Sequence, residues 1–337
     1  MFFSIKNLGI IKEANFELSK FTLICGKNGQ GKSFLVRMIY AILTLLSTQE
    51  KNSEHLGNLL SKKLRWIFQA NHLSAIVNNN FHEALKVKVD DFIEFSISKR
   101  SKSKIKLDRF SSKTFPYKDI SLIFLSSILD IELALSNYRE YYKNNFGVSD
   151  VYWDVLSRIR NIGVSPEPQL KKSYSSLEKI INGKVEHNTQ TGTVYKSQGK
   201  AIDIKLSASG IKLFGLLQLL IERDILKKDS VLILEEPESH LHPFFSFKLI
   251  EILFELKNAG VTLIVVTHSV EIIRYIEYLI NTQKENLTDF TFALLEPENN
   301  STVLSQYQNI QTLQKMIQVL TEDYFHLIIE EEKYFES

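Results

Sequence analysis

Residues Gly26 to Ser33 read G-K-N-G-Q-G-K-S, and the apolar run Phe21-Thr22-Leu23-Ile24-Cys25 stands directly before them. The run reads as a buried strand, the glycines as a tight loop, and residues 34–46 as a helix. These residue types suit the holding of a polyphosphate. Glycines at 26, 29 and 31 let the backbone curl with its N–H groups turned inward. Lys32 adds a fixed positive charge and Ser33 a hydroxyl suited to Mg²⁺. The helix that follows would aim the positive end of its dipole at the same phosphates. Gly26, Lys27, Asn28, Gly29, Gln30, Gly31, Lys32, Ser33 and Phe34 are therefore expected to bind a nucleoside triphosphate, ATP with Mg²⁺.

The chain has 337 residues, enough for one large or two ordinary domains, and its 44% hydrophobic and 24% charged fractions are those of a soluble globular protein. A formal charge of +2 gives no global drive toward nucleic acid or membrane, so local patches must carry any such argument. The single cysteine, Cys25, excludes an internal disulfide and reads as a small buried apolar residue. No apolar run of spanning length is present, and Met1-Phe2-Phe3-Ser4-Ile5 gives way at once to Lys6 and Asn7. A cytoplasmic location with no membrane partner is the expectation.

Strands are expected over 1–5, 13–18 and 21–25. Residues 47–199 are lysine-rich and mixed, with a helix over 63–77, strand character over 85–97, an apolar segment at 120–125 and helix over 129–159. A short helix at 177–181 and a strand-rich meander over 183–204 follow. Beyond residue 200 the pattern sharpens into helix 211–226, strand 231–234, helix 243–257, strand 261–266, helix 270–280 and a late hairpin. Buried strands alternating with helices indicate an α/β fold with a largely parallel sheet. The expected organisation is a split P-loop NTPase head (1–46 and 200–305), an inserted, largely helical lobe (47–199) and a C-terminal helical tail (306–337).

Val231-Leu232-Ile233-Leu234 ends in two carboxylates. Alternating side-chain direction lets Glu235 reach the Mg²⁺ shell while Glu236 faces the γ-phosphate, where it can orient or deprotonate water. The next buried strand ends in Thr267-His268-Ser269, which places an imidazole where it can bond the γ-phosphate. Ser207-Ala208-Ser209-Gly210 precedes the apolar helix 211–226 and reads either as an anion site or as plain N-capping. His240 and His242 make an H-x-H pair, but no ligand cluster accompanies them.

In this order the motifs resemble the ABC-type ATPases of the SMC, RecF and overcoming-lysogenization-defect (OLD) families. E-E-P-E-x-H-L-H-P (Glu235 to Pro243) and T-H-S (Thr267 to Ser269) resemble most the OLD-like AAA-15/AAA-21 group. The resemblance covers about residues 1–46 and 200–296. It implies a head-to-tail dimer in which Ser207, Ser209 and Gly210 of one copy close the nucleotide site of another. It leaves open which serine supplies the hydroxyl. Catalysis would fall to Glu236 and His268, and metal binding to Ser33 and Glu235.

The residues after the head are expected to hold no counterpart of the OLD nuclease domain. By analogy with stand-alone heads of this group, the output is expected to pass to a separately encoded effector, such as a nuclease or toxin, in anti-phage defence. Lys99 to Arg109 holds four lysines and two arginines in eleven positions, and reads equally as a DNA contact or a solvated loop. Two function classes stay open: an ATPase, and a nucleotide-gated binding module with negligible turnover.

Overall fold

The computed structural model describes residues 1–322 except 81, 125, 142–147, 161, 162, 164, 189–191, 284 and 308. In chain order the first elements are strands β1 (Phe2–Leu8), β2 (Ile11–Glu17) and β3 (Phe21–Cys25), then helices α1 (Lys32–Ser47) and α2 (Ser53–Phe68). Strands β4 (Leu85–Val89), β5 (Ile93–Ile97), β6 (Leu107–Phe110) and β7 (Ile120–Ile123) precede α3 (Glu132–Tyr141), α4 (Asp150–Ile159) and α5 (Lys171–Ile181). A meander β8 (Lys184–Asn188), β9 (Gly192–Ser197) and β10 (Lys200–Asp203) leads to α6 (Ser209–Glu222). The rest is β11 (Val231–Glu235), α7 (Pro243–Asn258), β12 (Thr262–Thr267), α8 (Val270–Gln283), β13 (Phe290–Glu298), β14 (Ser301–Tyr307) and a helix over 311–322.

Among the described residues the main sheet has eleven strands in the order β6-β5-β4-β1-β2-β14-β13-β3-β12-β11-β7. Its β13-β3-β12-β11-β7 half is parallel, and the β6-β5-β4-β1-β2 half antiparallel. The period-2 rule divides each central strand between two cores. Leu23, Leu232, Leu234, Leu263 and Val265 face the core shared with α6, α7 and α8. Ile24, Val231, Ile233, Ile264 and Val266 face the core shared with α1 and α2. A strand buried on both faces has to be an unbroken apolar run, which is why β3, β11 and β12 are so legible.

The segment expected as a largely helical insertion contributes more to the head than its sequence suggests. Its strands β4 to β7 are hydrogen-bonded into the main sheet, with β7 parallel to β11 at one edge. The meander 183–204 does form its own three-stranded sheet, β10-β9-β8. The helix expected over 63–77 instead spans Ser53–Phe68. Asn52 caps it by accepting from His55 N, and Gln69 ends it with φ 51 in the left-handed region.

The basic run is anchored. Ile105 N donates to Ser61 Oγ (2.8 Å) on α2, and a Cβ on Gly57 would lie 2.5 Å from Ile105 O. Ser101 O and Lys102 O accept from Ser74 N and Leu73 N (both 3.1 Å). Ile105 and Leu107 are buried while Lys104 and Lys106 point outward. The acidic residues at 330–332 lie outside the described residues. Among the described residues no helix is long and apolar enough to cross a membrane.

Candidate functional site at the strand carboxyl ends

β3, β12 and β11 are neighbouring parallel strands, with Cys25 beside Thr267 and Val266 beside Glu235 in register. The phosphate loop, the two acids and the T-H-S loop therefore leave the sheet at the same edge. The crevice beyond the carboxyl ends of parallel strands is where such sheets bind ligands.

The loop takes the shape its glycines allow. Gly29 and Gly31 have φ of 80 and 89, and α1 begins at Lys32 with no side-chain cap on its first N–H groups. Lys32 Nζ, largely buried, donates to Gly26 O (2.8 Å) and Lys27 O (3.1 Å). Burial pulls the pKa of that amine below its ordinary value, opposed chiefly by Glu236. A buried ammonium bonded only to carbonyls is ready to exchange them for an anion.

Glu235 continues the alternation of Val231 and Ile233, so it faces the α1 side, where Ser33 Oγ donates to its Oε1. Its other oxygen, Oε2, is buried without a hydrogen-bond partner. Burial raises the pKa of this carboxyl, while Ser33 and Arg37 counter. A hydroxyl beside a carboxylate with an unpartnered oxygen is a hard donor set. It fits Mg²⁺, which is held by one or two protein oxygens and keeps its waters.

Glu236 breaks from the strand with φ 46, and its N–H stays tied to Val266 O (2.8 Å). Its Oε1 lies 3.0 Å from His268 Nδ1, so these two expected partners meet. Ser33, Glu235 and Glu236 line one cavity of about 400 Å³ together with Arg37, Phe124, Tyr152 and Leu213. None of Ser207, Ser209 and Gly210 lines it. α6 begins at Ser209, its N-cap is Ala208 without a side-chain bond, and the buried Ser207 Oγ has no partner. Plain N-capping by either serine is thus not what this helix start shows.

Two residues were not singled out by sequence. Arg37 follows Ser33 by four positions on α1, so it shares that face, and its guanidinium lies 5.0 Å over the Phe124 ring. That spacing was the available signal. Glu238 accepts from Thr267 Oγ1, and burial raises its pKa. It belongs to the E-E-P-E-x-H-L-H-P stretch, where no role was assigned to it. Cys25 is free and fully buried, and burial pushes its thiol pKa far above the ordinary range.

The structure is similar to an SmcHead bound to the C-winged helix domain of ScpA, at 13% identity and TM-score 0.52 over 93% of this chain and 98% of that one. It is also similar to an Smc head domain with an extended coiled coil bound to the C-terminal domain of ScpA, derived from Pyrococcus furiosus (12%, TM-score 0.49, 94% and 98%). A third is the SMC head domain from Thermotoga maritima (12%, TM-score 0.49, 91% and 98%). The first of these shows that the fold is that of an SMC-head P-loop ATPase. No curated protein matches the chain. Residues 21–274, more than half of the chain and the whole stretch from β3 through the T-H-S loop, match one family model. The chain therefore belongs to the family described as "AAA domain, putative AbiEii toxin, Type IV TA system".

Proposed function

We propose that this chain is an ATP-hydrolysing head of OLD-like type that works as a head-to-tail dimer, and that its nucleotide state controls a separately encoded effector in anti-phage defence. The observation that carries the dimer is the separation just described. The cis cavity is lined by Ser33, the last residue of the phosphate loop, and by both acids, but not by the helix start at Ser209. The uncapped N–H groups of α6 and the hydroxyl of Ser209 remain available for the γ-phosphate of a second copy, whereas Ser207 Oγ is buried.

Within the cis site, loop N–H groups and Lys32 bind the phosphates, with Ser33 and Glu235 holding the metal. When bound, Mg²⁺ screens the phosphate charge. Glu236 accepts the proton of an attacking water, and the new P–O bond forms as the bond to ADP breaks. His268, bonded through Nδ1 to Glu236, keeps Nε2 for a phosphate oxygen.

Mixing two inactive variants tests the composite site. Lys32→Ala and Ser209→Arg should each lack turnover. An equimolar mixture leaves half the dimers with one intact site, so phosphate release should return to about a quarter of the wild-type rate. No recovery at any mixing ratio sinks the trans arrangement.

A DNA contact is the second reading, favoured by the anchoring of the basic run. Lys62 on the exposed face of α2 and Lys99, Arg100, Lys102, Lys104 and Lys106 have no ion-pair partner among the described residues. A fixed row of cations without an aromatic platform suits a duplex backbone better than single strands. Binding to a duplex should weaken steeply with salt, and replacing three of these lysines by alanine should lower the log–log slope by about 3. A slope near zero in the native chain leaves the run a solvated surface.

A further inference from the structure

We propose that Glu238 is a positioning residue that clamps the Thr267-His268-Ser269 loop so that His268 faces the terminal phosphate of the bound nucleotide. This rests on the reading that the site holds a triphosphate.

Glu238 sits in the turn after β11, three residues beyond the acid that Ser33 bonds. It does not line the cavity, although Glu235, Glu236, Pro237, Ser239 and His240 do. Its carboxyl is instead engaged by Thr267 through one oxygen, and the other is buried. Its Oε1 accepts the hydroxyl proton of Thr267, which is fully buried. With its hydroxyl hydrogen directed at Glu238, Thr267 Oγ1 has lone pairs left to accept, and it receives Ser269 N–H at 2.9 Å. Ser269 Oγ in turn accepts from Ile272 N (3.3 Å) at the start of α8. His268 is thus the one residue between two clamped neighbours.

The other end of the bracket is also fixed. Leu241 N donates to Glu238 O (2.9 Å), and Ser239 N to Glu236 O (3.0 Å). Glu236 and His268, 3.0 Å apart, consequently hang from the two arms of one hydrogen-bonded frame. Glu238 joins the arms.

A brace alone does not call for a carboxylate. Three acids in four positions repel one another, and Glu238 Oε2 is buried without a hydrogen-bond partner. A neutral amide would tie Thr267 down without that penalty. The clamp therefore rests on the acceptor oxygen that Thr267 meets and not on the charge, and an amide at this position should keep it.

The test compares ATP with ADP binding, each with Mg²⁺, in the native chain and in Glu238→Ala, Glu238→Gln and Thr267→Val. ADP lacks the phosphate that His268 would meet, so its affinity should stay within about twofold. The preference for ATP over ADP should fall about tenfold in Glu238→Ala and Thr267→Val, the loss of one bond to a charged group. Glu238→Gln keeps an acceptor oxygen and should regain most of the preference. The Glu238→Ala, Thr267→Val pair should be no worse than either change alone, because one linkage is lost only once. ATP and ADP affinities falling together would reduce Glu238 to a structural brace, and an unchanged ratio would remove the clamp. Should Glu238→Ala fail to fold, Glu238→Gln and Thr267→Val decide by the same ratio. Binding needs no turnover, so a native chain that binds ATP without hydrolysing it defeats the hydrolysis reading and leaves this one standing.

Discussion

Lys32→Ala should lower the affinity for ATP by at least about a hundredfold, the equivalent of two charge-assisted hydrogen bonds at about 1.5 kcal/mol each. Among the described residues of the phosphate loop, Lys32 is the side-chain cation that is buried. It already reaches Gly26 O and Lys27 O, the two carbonyls that border the anion cradle. Truncation removes the charge and leaves those carbonyls facing the phosphates. Titration with a fluorescent ATP analogue reads the loss, and an unaltered far-ultraviolet circular dichroism spectrum would show that α1 survives. Affinity within a fewfold of wild type would refute the phosphate-loop assignment.

Glu236→Gln should have the opposite profile: ATP bound as before, phosphate release slower by about 10² to 10⁴-fold. Glutamine keeps the length of the side chain and can still accept a hydrogen bond from His268. It cannot take a proton from water. If hydrolysis opens the dimer, this variant should also accumulate as an ATP-bound dimer, visible by sedimentation. Steady-state phosphate release equally near zero in both forms would favour the nucleotide-gated binding module. Because Lys32→Ala loses binding and Glu236→Gln loses only chemistry, the pair separates holding the nucleotide from cleaving it.

Much of this site was legible because its parts are local. The phosphate loop, the acids after β11 and the T-H-S sequence after β12 each follow a strand buried on both faces, whose short, nearly unbroken apolar run reads as a buried strand. Glu235 follows from the period of two, whereas Glu236 owes its place to the break in the strand at φ 46. Arg37 was within reach of the same reasoning, one helical turn beyond Ser33. Glu238 stood within the E-E-P-E-x-H-L-H-P stretch, but its role was not legible, because its partner Thr267 is 29 residues away. The helix α2 was misplaced at its start because the cap at Asn52 lies in a polar stretch that reads as loop. Strands β4 to β7 looked like part of an insertion because pairing with β1 and β11 is non-local.

The sequence by itself determined which groups are available: a glycine-rich loop with a lysine, a hydroxyl, adjacent carboxylates and an imidazole. It also determined the α/β class, since apolar runs and helical periods are properties of neighbouring residues. Only the tertiary structure decided which groups share a cavity and which do not. Parallel register brings Ser33, Glu235, Glu236 and His268 to one edge of the sheet. The helix start at Ser209 stays outside the cavity. Contacts between segments about 200 residues apart are set by burial summed over the whole core, and no local stretch of chain contains that sum.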